Sequence, residues 1–393
     1  MKKGVYTILL IINYSLLIIH STSAQPAMRA DGDSSRLRIS LLTCTPGEEL
    51  YSTFGHSAFR VIDSNSVTDL VYNYGTFNFN DDGFYIKFIR GKLLYYVSEE
   101  HFHDFAAQYR YENRGITEQV LNLSGTEKKV IRNFLNNNIK EENKFYKYDF
   151  FFDNCTSRLR DIIKKQQDSV FCNKPVMPPG SRFRQAIHEY LDRSGKAWSK
   201  LGIDILLGLP CDAVMTAEQM QFLPDNLMKS LDSSNNDHRL VLREENLYPI
   251  KETNDKGSFF TPLVVFSLLF VFIIAMGFIK NKFTHAFLQG FDGILFFLTG
   301  ALGIVLILMW TCTDHSMCKN NFNLLWAWPT HFIMAFFVNS KKQWVKRYFV
   351  FYGLMMMVLL LAWFFLPQQM NNALIPLVLL LIYRSVIKFL ANN

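Results

Sequence analysis

The chain has 393 residues, is 49% hydrophobic and 15% aromatic, and carries a formal net charge of +7. The averages conceal two unlike halves: charged and apolar residues are mixed up to about residue 258, and long apolar runs dominate beyond Phe259. That asymmetry excludes a wholly soluble protein, and with no internal repeat or low-complexity tract it excludes a solenoid or a disordered chain.

The chain begins "MKKGVYTILLIINYSLLIIHSTSAQ": two lysines, an apolar core and small residues ending at Ala24. This is the pattern of a secretory signal over residues 1–24, which places the next domain across a membrane. The polar stretch 25–36 reads as a linker. From Leu37 the segments "LRISLLT", "SAFRVID", "DLVYNYGTF" and "LLYYVSE" are short, rich in β-branched and aromatic residues, and bounded by Gly, Asp and Asn, which predicts strands. In "SAFRVID" alternate residues are expected to meet the core from one face only. "YSTFGHSAF" puts His56 at the entrance of that second strand. On the next strand Asp69 and Asn73 share a face at period two, and either offers an oxygen to orient an imidazole; Asn73 is preferred. His101 and His103 lie with carboxylates in "EEHFHD", but metal sites draw ligands from several elements, so no metal and no cofactor is expected.

Helical periodicity then takes over at 101–114, 126–138, 154–167, 181–193 and 216–222. In "FFDNCTSRLRDII", Asp153 or Asn154 suits an N-cap, and Leu159, Ile162 and Ile163 form an apolar stripe, so Cys155 falls in the first helical turn. Unpaired N–H groups and the helix dipole there favour the thiolate, and Arg158 adds positive charge one turn along. A lone helical cysteine is more often structural; a histidine brought within hydrogen-bond reach would turn that around. Arg182 and Arg184 in "MPPGSRFRQAI" suit lipid phosphates or, more simply, a solvated face, and His188 and His238 read as plain surface residues.

Beyond Phe259 five segments approach spanning length: 259–279, 287–310, 322–338, 348–366 and 372–389. With the soluble domain outside, Lys280 and Lys282, then Lys341, Lys342, Lys346 and Arg347, and finally Arg384 and Lys388 all fall on the cytoplasmic side. Signal and loop charges thus agree on one orientation, and the +7 balance is topogenic, lending no support to a nucleic-acid partner. The outer loop 311–321 carries His315 with Asp314 and Asn321, and Asn323 comes just after it, ahead of Trp326 and Trp328 at the membrane boundary. Of the six cysteines, Cys172 with Cys211, or Cys312 with Cys318, are open to pairing in an oxidising compartment. Cys44 is then the thiol left over beside Cys155.

"TFGHSAFRV", "VYNYGTFNF" and "DNCTSRLRD", with a multi-span tail containing "DHSMCKNNFNLLWAWP" after them, resemble the Lnb-type bacterial lipoprotein N-acyltransferases. The resemblance covers nearly the whole chain after the signal. It implies an α+β, circularly permuted papain-like (NlpC/P60-like) extracytoplasmic domain over 37–250. An all-α transmembrane domain of about five helices over 251–393, in the bacterial inner membrane, comes next. The resemblance further implies Cys155 as nucleophile, and with it go His56 as general base and acid, His315 as an outer-loop contributor and Asn73, chosen from its strand face, as orienter of the imidazole. Asn154, Arg158, Asn321 and Asn323 are substrate-binding candidates. The implied reaction moves a fatty acyl chain from a membrane phospholipid, through a Cys155 thioester, to the α-amine of a diacylated lipoprotein. The competing expectation is a membrane-anchored papain-like peptidase or amidase acting on cell-wall peptide, since one His-Cys pair serves both reactions; a non-enzymatic scaffold is the third. Extensive membrane attachment favours a bilayer-resident substrate.

Overall fold

A computed structural model describes residues 35–166, 171, 173–232, 239–249 and 257–390. The proposed signal, nearly all of the linker, Cys172 and His238 lie outside them. The N-terminal part is α+β. Its seven strands are β1 (Leu37–Cys44), β2 (His56–Asp63), β3 (Thr68–Thr76), β4 (Leu94–His101), β5 (Ile116–Leu121), β6 (Phe145–Lys147) and β7 (Val241–Tyr248). They form one sheet in the order β6-β4-β3-β2-β1-β5-β7, and every neighbouring pair is antiparallel. Around it lie α1 (Phe84–Ile89), α2 (Phe102–Tyr111), α3 (Gly125–Asn138), α4 (Cys155–Gln166), α5 (Phe183–Arg193), α6 (Ala197–Leu206) and α7 (Pro224–Asp232).

Both faces of the sheet are covered, which corrects the one-faced expectation for β2. Phe59 and Val61 pack with Leu159, Ile163 and Leu227 from α4 and α7, while Ala58 packs with Phe105 and Tyr109 of α2 on the opposite side. A strand buried on both faces loses the polar alternation that a half-solvated strand shows. Helix α3 starts where its sequence dictates: Ser124 Oγ accepts from the Glu127 N–H, and the Ser124 N–H donates to the Glu127 carboxylate.

The C-terminal part is helical, with α8 (Pro262–Phe278), α9 (Lys282–Thr311), α10 (Gln343–Ala362) and α11 (Ile375–Leu390). Among the described residues two helices are long and apolar enough to cross a membrane, Lys282–Thr311 and Gln343–Phe365, and α8 and the 372–387 segment are shorter apolar helices. The segment 322–338 is not one span. It breaks into the short turns Phe322–Leu325, His331–Met334 and Ala335–Phe337. Pro329 cannot donate a helical hydrogen bond, and the Asn321 side chain caps the first turn through the Asn323 N–H at 2.9 Å. The broken backbone lies against α9 at Gly300 and Gly303, where a Cβ would stand 1.9 Å from Phe332 N and 2.2 Å from Ala327 O. Irregular backbone at membrane depth is tolerated when it is buried in protein in this way.

Arg384 is not a free topogenic charge. It is buried and makes a two-pronged ion pair to Asp292 of α9, at 2.6 and 2.9 Å. Arg184 and His188 are not surface residues either. Arg184 is fully buried, donating to Asp204, Asp212 and the Leu207 and Gly208 carbonyls, and His188 Nε2 lies 2.8 Å from Asp204 Oδ1.

Candidate active site

Helix α4 begins at Cys155 because Asn154 stops the chain from continuing backwards. Asn154 Oδ1 accepts from the Thr156 and Ser157 N–H groups, each at 2.8 Å, and its amide donates to the Phe150 and Phe222 carbonyls at 2.6 and 2.9 Å. An N-cap satisfies the orphan donors of a first turn; here it also bolts the helix start to two loops. The Ser57–Thr156 hydroxyl hydrogen bond, 3.0 Å, then ties that turn to the start of β2, where His56 sits.

The imidazole and the thiol meet. His56 and Cys155 line the same cavity close enough for each to shift the other's titration, and Nε2 of the ring lies 2.6 Å from Asn73 Oδ1. With Nε2 engaged by an acceptor, Nδ1 is the nitrogen left for sulfur. Asn73 is held in turn by Glu100, Nδ2 to Oε1 at 3.4 Å. Asp69, the other residue on that face, is committed to Arg60 at 2.6 and 2.8 Å.

Electrostatics follow the contacts. Burial pushes the Cys155 thiol up, but the His56 charge and hydrogen bond, together with the Ser57 N–H, bring it from an ordinary 9.0 down to about 7. Burial pushes the His56 imidazolium down, and the Cys155 charge and the bonds to Cys155 and Asn73 outweigh it, leaving His56 above its ordinary value. The pair therefore favours thiolate and imidazolium near neutrality. Cys44 is the internal control: equally buried, with no base, it is pushed up to about 12.

Cys155 and His56 open onto a cavity of about 570 Å³. Its lining includes the aromatic rings of Phe77, Tyr95, Tyr148, Phe150, Phe151 and Phe222 and the outer loop, Asp314 to Cys318, whose Met317 and Cys318 pack in one cluster with Phe151 and Phe222. His315 is thus brought to the cavity, with Nε2 3.1 Å from the carbonyl oxygens of both Phe88 and Ile89. Beside it Asp314 pairs with Lys147 at 2.6 Å, which lowers its carboxyl below the usual range.

The other candidates are placed differently. Asn154 touches the cavity but spends its side-chain amide on the cap and the two loop carbonyls. Arg158 does not line it, pairing with Asp153 at 2.6 Å and stacking 3.5 Å over the Tyr146 ring. Asn321 and Asn323 are buried and donate to the main-chain carbonyls of Asp204, Ile205 and Leu206, so they join the outer loop to α6 instead of facing substrate. Among the described residues Cys211, Cys312 and Cys318 are free thiols, so Cys312 and Cys318 are not paired, and Cys211 and Cys318 share one apolar cluster; Cys172, the other expected partner, lies outside the described residues. Sequence reasoning passed over Phe77, Phe88 and Tyr95, although the density of aromatic and aliphatic residues in "GTFNFNDDGFYIKFIRGK" is a signal that could have found the first two.

Residues 24–179 match the family model described as the Lnb N-terminal periplasmic domain, and residues 253–393 match the one described as the Lnb transmembrane domain. No curated protein and no solved structure matches the chain.

Proposed function

The chain belongs to the Lnb family of lipoprotein N-acyltransferase-type membrane enzymes, with a periplasmic and a transmembrane domain in the inner membrane, and from that premise we propose a covalent mechanism centred on Cys155. The Cys155 thiolate attacks the ester carbonyl of a membrane phospholipid. The positive end of the α4 dipole faces the developing oxyanion. As the tetrahedral adduct collapses, the C–O bond to the glycerol breaks and imidazolium His56 gives its proton to the leaving alkoxide, yielding a lysophospholipid and a Cys155 thioester. The free α-amine of the diacylglyceryl-cysteine of a lipoprotein then attacks the thioester. His56 takes the amine proton, the C–S bond breaks, and an amide and free Cys155 result. Asn73 holds the ring through Nε2 in both half-reactions.

The observation that carries this reading is the composition of the cavity: the thiol-imidazole pair opens on a space lined both by aromatic rings and by a loop between membrane helices. Pockets of about 300–1,000 Å³ enclose most of a bound ligand, and aromatic walls shield a thioester from water. A cell-wall peptidase has no use for a substrate wall supplied by the membrane domain. The order of a His-bearing strand before a Cys-bearing helix agrees with a permuted papain-like domain over 37–250, and the remainder, 251–393, with a domain that reaches the bilayer in about five passes, the third of them broken.

The test is expression in cells lacking their own lipoprotein N-acylation, with mass spectrometry of lipoprotein N-termini. Wild type is expected to add a third acyl chain and Cys155→Ser to add none; equal N-acylation by both refutes the covalent step. Release of peptidoglycan fragments without N-acylation would establish the peptidase in its place.

A further inference from the structure

The segment from Phe77 to Lys92 leaves an apolar surface uncovered. In α1 and just before it, Phe79, Tyr85, Ile86, Phe88 and Ile89 are all exposed, Tyr85 by 74% and Ile86 by 66%. Lys87, Arg90 and Lys92 interleave with them. Such a cluster on a soluble domain marks a contact surface, and its connections say what covers it. The Asp314 N–H donates to the Arg90 carbonyl at 3.0 Å, and His315 Nε2 reaches the Phe88 and Ile89 carbonyls. Residues 314 and 315 come closely after α9, which ends at Thr311. Three residues of chain span at most about 10 Å, so α1 is held within that distance of the outer end of a membrane helix. That helix has 30 residues, about 45 Å, enough to cross both headgroup layers. Trp310, one residue before its end, suits the interfacial belt. The exposed side chains of α1 are therefore tied to the outer end of a helix of membrane-spanning length, with Arg90 and Lys92 beside them, while Lys87 is paired with Asp81 at 2.8 Å.

A path leads inward from this surface. The Phe79 ring packs on Phe77 at 4.8 Å, Phe77 on Tyr95 at 5.3 Å, and Tyr95 stacks on Tyr148 at 4.3 Å. Phe77, Tyr95 and Tyr148 line the same cavity as Cys155. We propose that residues 77–92 form a membrane-inserted lip, which seats in the outer leaflet through Tyr85, Ile86 and Ile89 and leads a phospholipid acyl chain along the Phe77–Tyr95–Tyr148 face to the thiol. The occupant of the apolar surface is bilayer lipid, chosen over a second protein by the tether to α9 and by Arg90 and Lys92, which complement lipid phosphate. The delivery half of the proposal rests on the acyltransferase reading; the insertion half does not.

Two measurements test it on the full chain in phosphatidylethanolamine–phosphatidylglycerol vesicles. In the first, a spin label is placed by Tyr85→Cys in a Cys155→Ser, Cys172→Ser, Cys312→Ser background, and its collision rates with oxygen and with a water-soluble nickel chelate are compared. Preferential access by oxygen supports insertion. Preferential access by the chelate, or exclusion of both as under a covering protein, overturns it. In the second, the Tyr85→Asp, Ile86→Asp double variant is assayed with two acyl donors. These side chains are exposed and line no part of the cavity, so acylation of Cys155 by a water-soluble short-chain ester is expected to stay within about twofold of wild type, while transfer from vesicle phospholipid falls about tenfold. Equal rates from vesicle phospholipid overturn the delivery role. Oxygen access at position 85 with a wild type that transfers no acyl chain from either donor supports the lip and refutes the acyltransferase mechanism instead.

Discussion

The reactivity of Cys155 as a function of pH measures the thiol-imidazole pair directly. With the thiol at about 7, the rate of reaction with an aromatic disulfide is expected to rise through a midpoint near pH 7. His56→Ala removes the principal groups that lower it and leaves the upward push of burial in place, so the midpoint is expected to climb to 9 or beyond, the ordinary value being 9.0. The magnitude follows from that shift. At pH 7 the thiolate fraction falls from about one half to about one in a hundred, roughly fiftyfold. A more basic thiolate is intrinsically more nucleophilic, with a Brønsted slope of about 0.4–0.5, which returns about eightfold over two units. The net loss at pH 7 is therefore only about sixfold, and above pH 10 the variant is expected to be the faster of the two. Cys44, Cys211 and Cys318 are buried and pushed well up, so they contribute little background; the exposed Cys312 is replaced by Ser, as is Cys172. Stopped-flow release of the aromatic thiol gives both profiles. A wild-type midpoint near 9, or one unmoved by His56→Ala, would refute the ion pair and with it the nucleophile.

Asn73→Ala is expected to lower kcat about ten- to a hundredfold with little change in KM, because it frees the ring without touching the cavity walls; a pure KM effect would contradict an orienting role. Asn154→Ala removes an N-cap and two hydrogen bonds to buried carbonyls, at a cost of about 2–4 kcal/mol, read as a lowered thermal midpoint in detergent. A loss within error would mean that the cap is idle. Asp292→Asn alone is expected to destabilise by about 3–5 kcal/mol by stranding the buried Arg384, and the Asp292→Leu, Arg384→Met pair to recover most of it. Gly208→Ala puts a Cβ 1.9 Å from the Lys319 carbonyl oxygen. It should loosen the outer loop from the soluble domain, reducing transfer from phospholipid while Cys155 keeps its pH profile.

What the sequence disclosed divides by range. The placement of Cys155 in a first helical turn, of His56 at the start of a strand and of Asn73 on the next one was legible because each rests on a local rule: a cap before an apolar stripe, a polar residue opening a strand, a period of two. Strands β5 and β7 were not. "ITEQVL" buries Glu118 and Gln119 at its centre, where Arg60 reaches Glu118 at 3.1 Å and Gln119 donates to Glu244 at 2.9 Å, and "VLREENLY" is a charged edge, as edges tend to be. Polar burial of that kind depends on partners far away in the chain. Helix α1, six residues long, is too short for a period to register. The third apolar run illustrates the converse: its composition spells a span, but Pro329 and the capping asparagines decide its hydrogen bonding, and composition does not.

Arg184 was the least legible residue, and it explains why the site has its form. The cavity is lined from both parts, by His56 of β2 and Cys155 of α4 and by Asp314 to Cys318 of the loop after α9, so a shift between the two parts would move that loop against Cys155, and displacements of about 1 Å cost about a hundredfold in rate. A flexible tether does not supply that precision. Arg184 instead holds Asp204 and Asp212 in a fully buried cluster, Asp204 also accepts from Asn371 at 2.8 Å, and Asn321, Asn323 and Gln368 close on the 204–207 backbone. Buried ion clusters contribute little net stability and fix one geometry. Asn321 and Asn323, substrate-binding candidates in the sequence, spend their amides on this joint, and under the proposed mechanism their part is to keep the outer loop in register with Cys155.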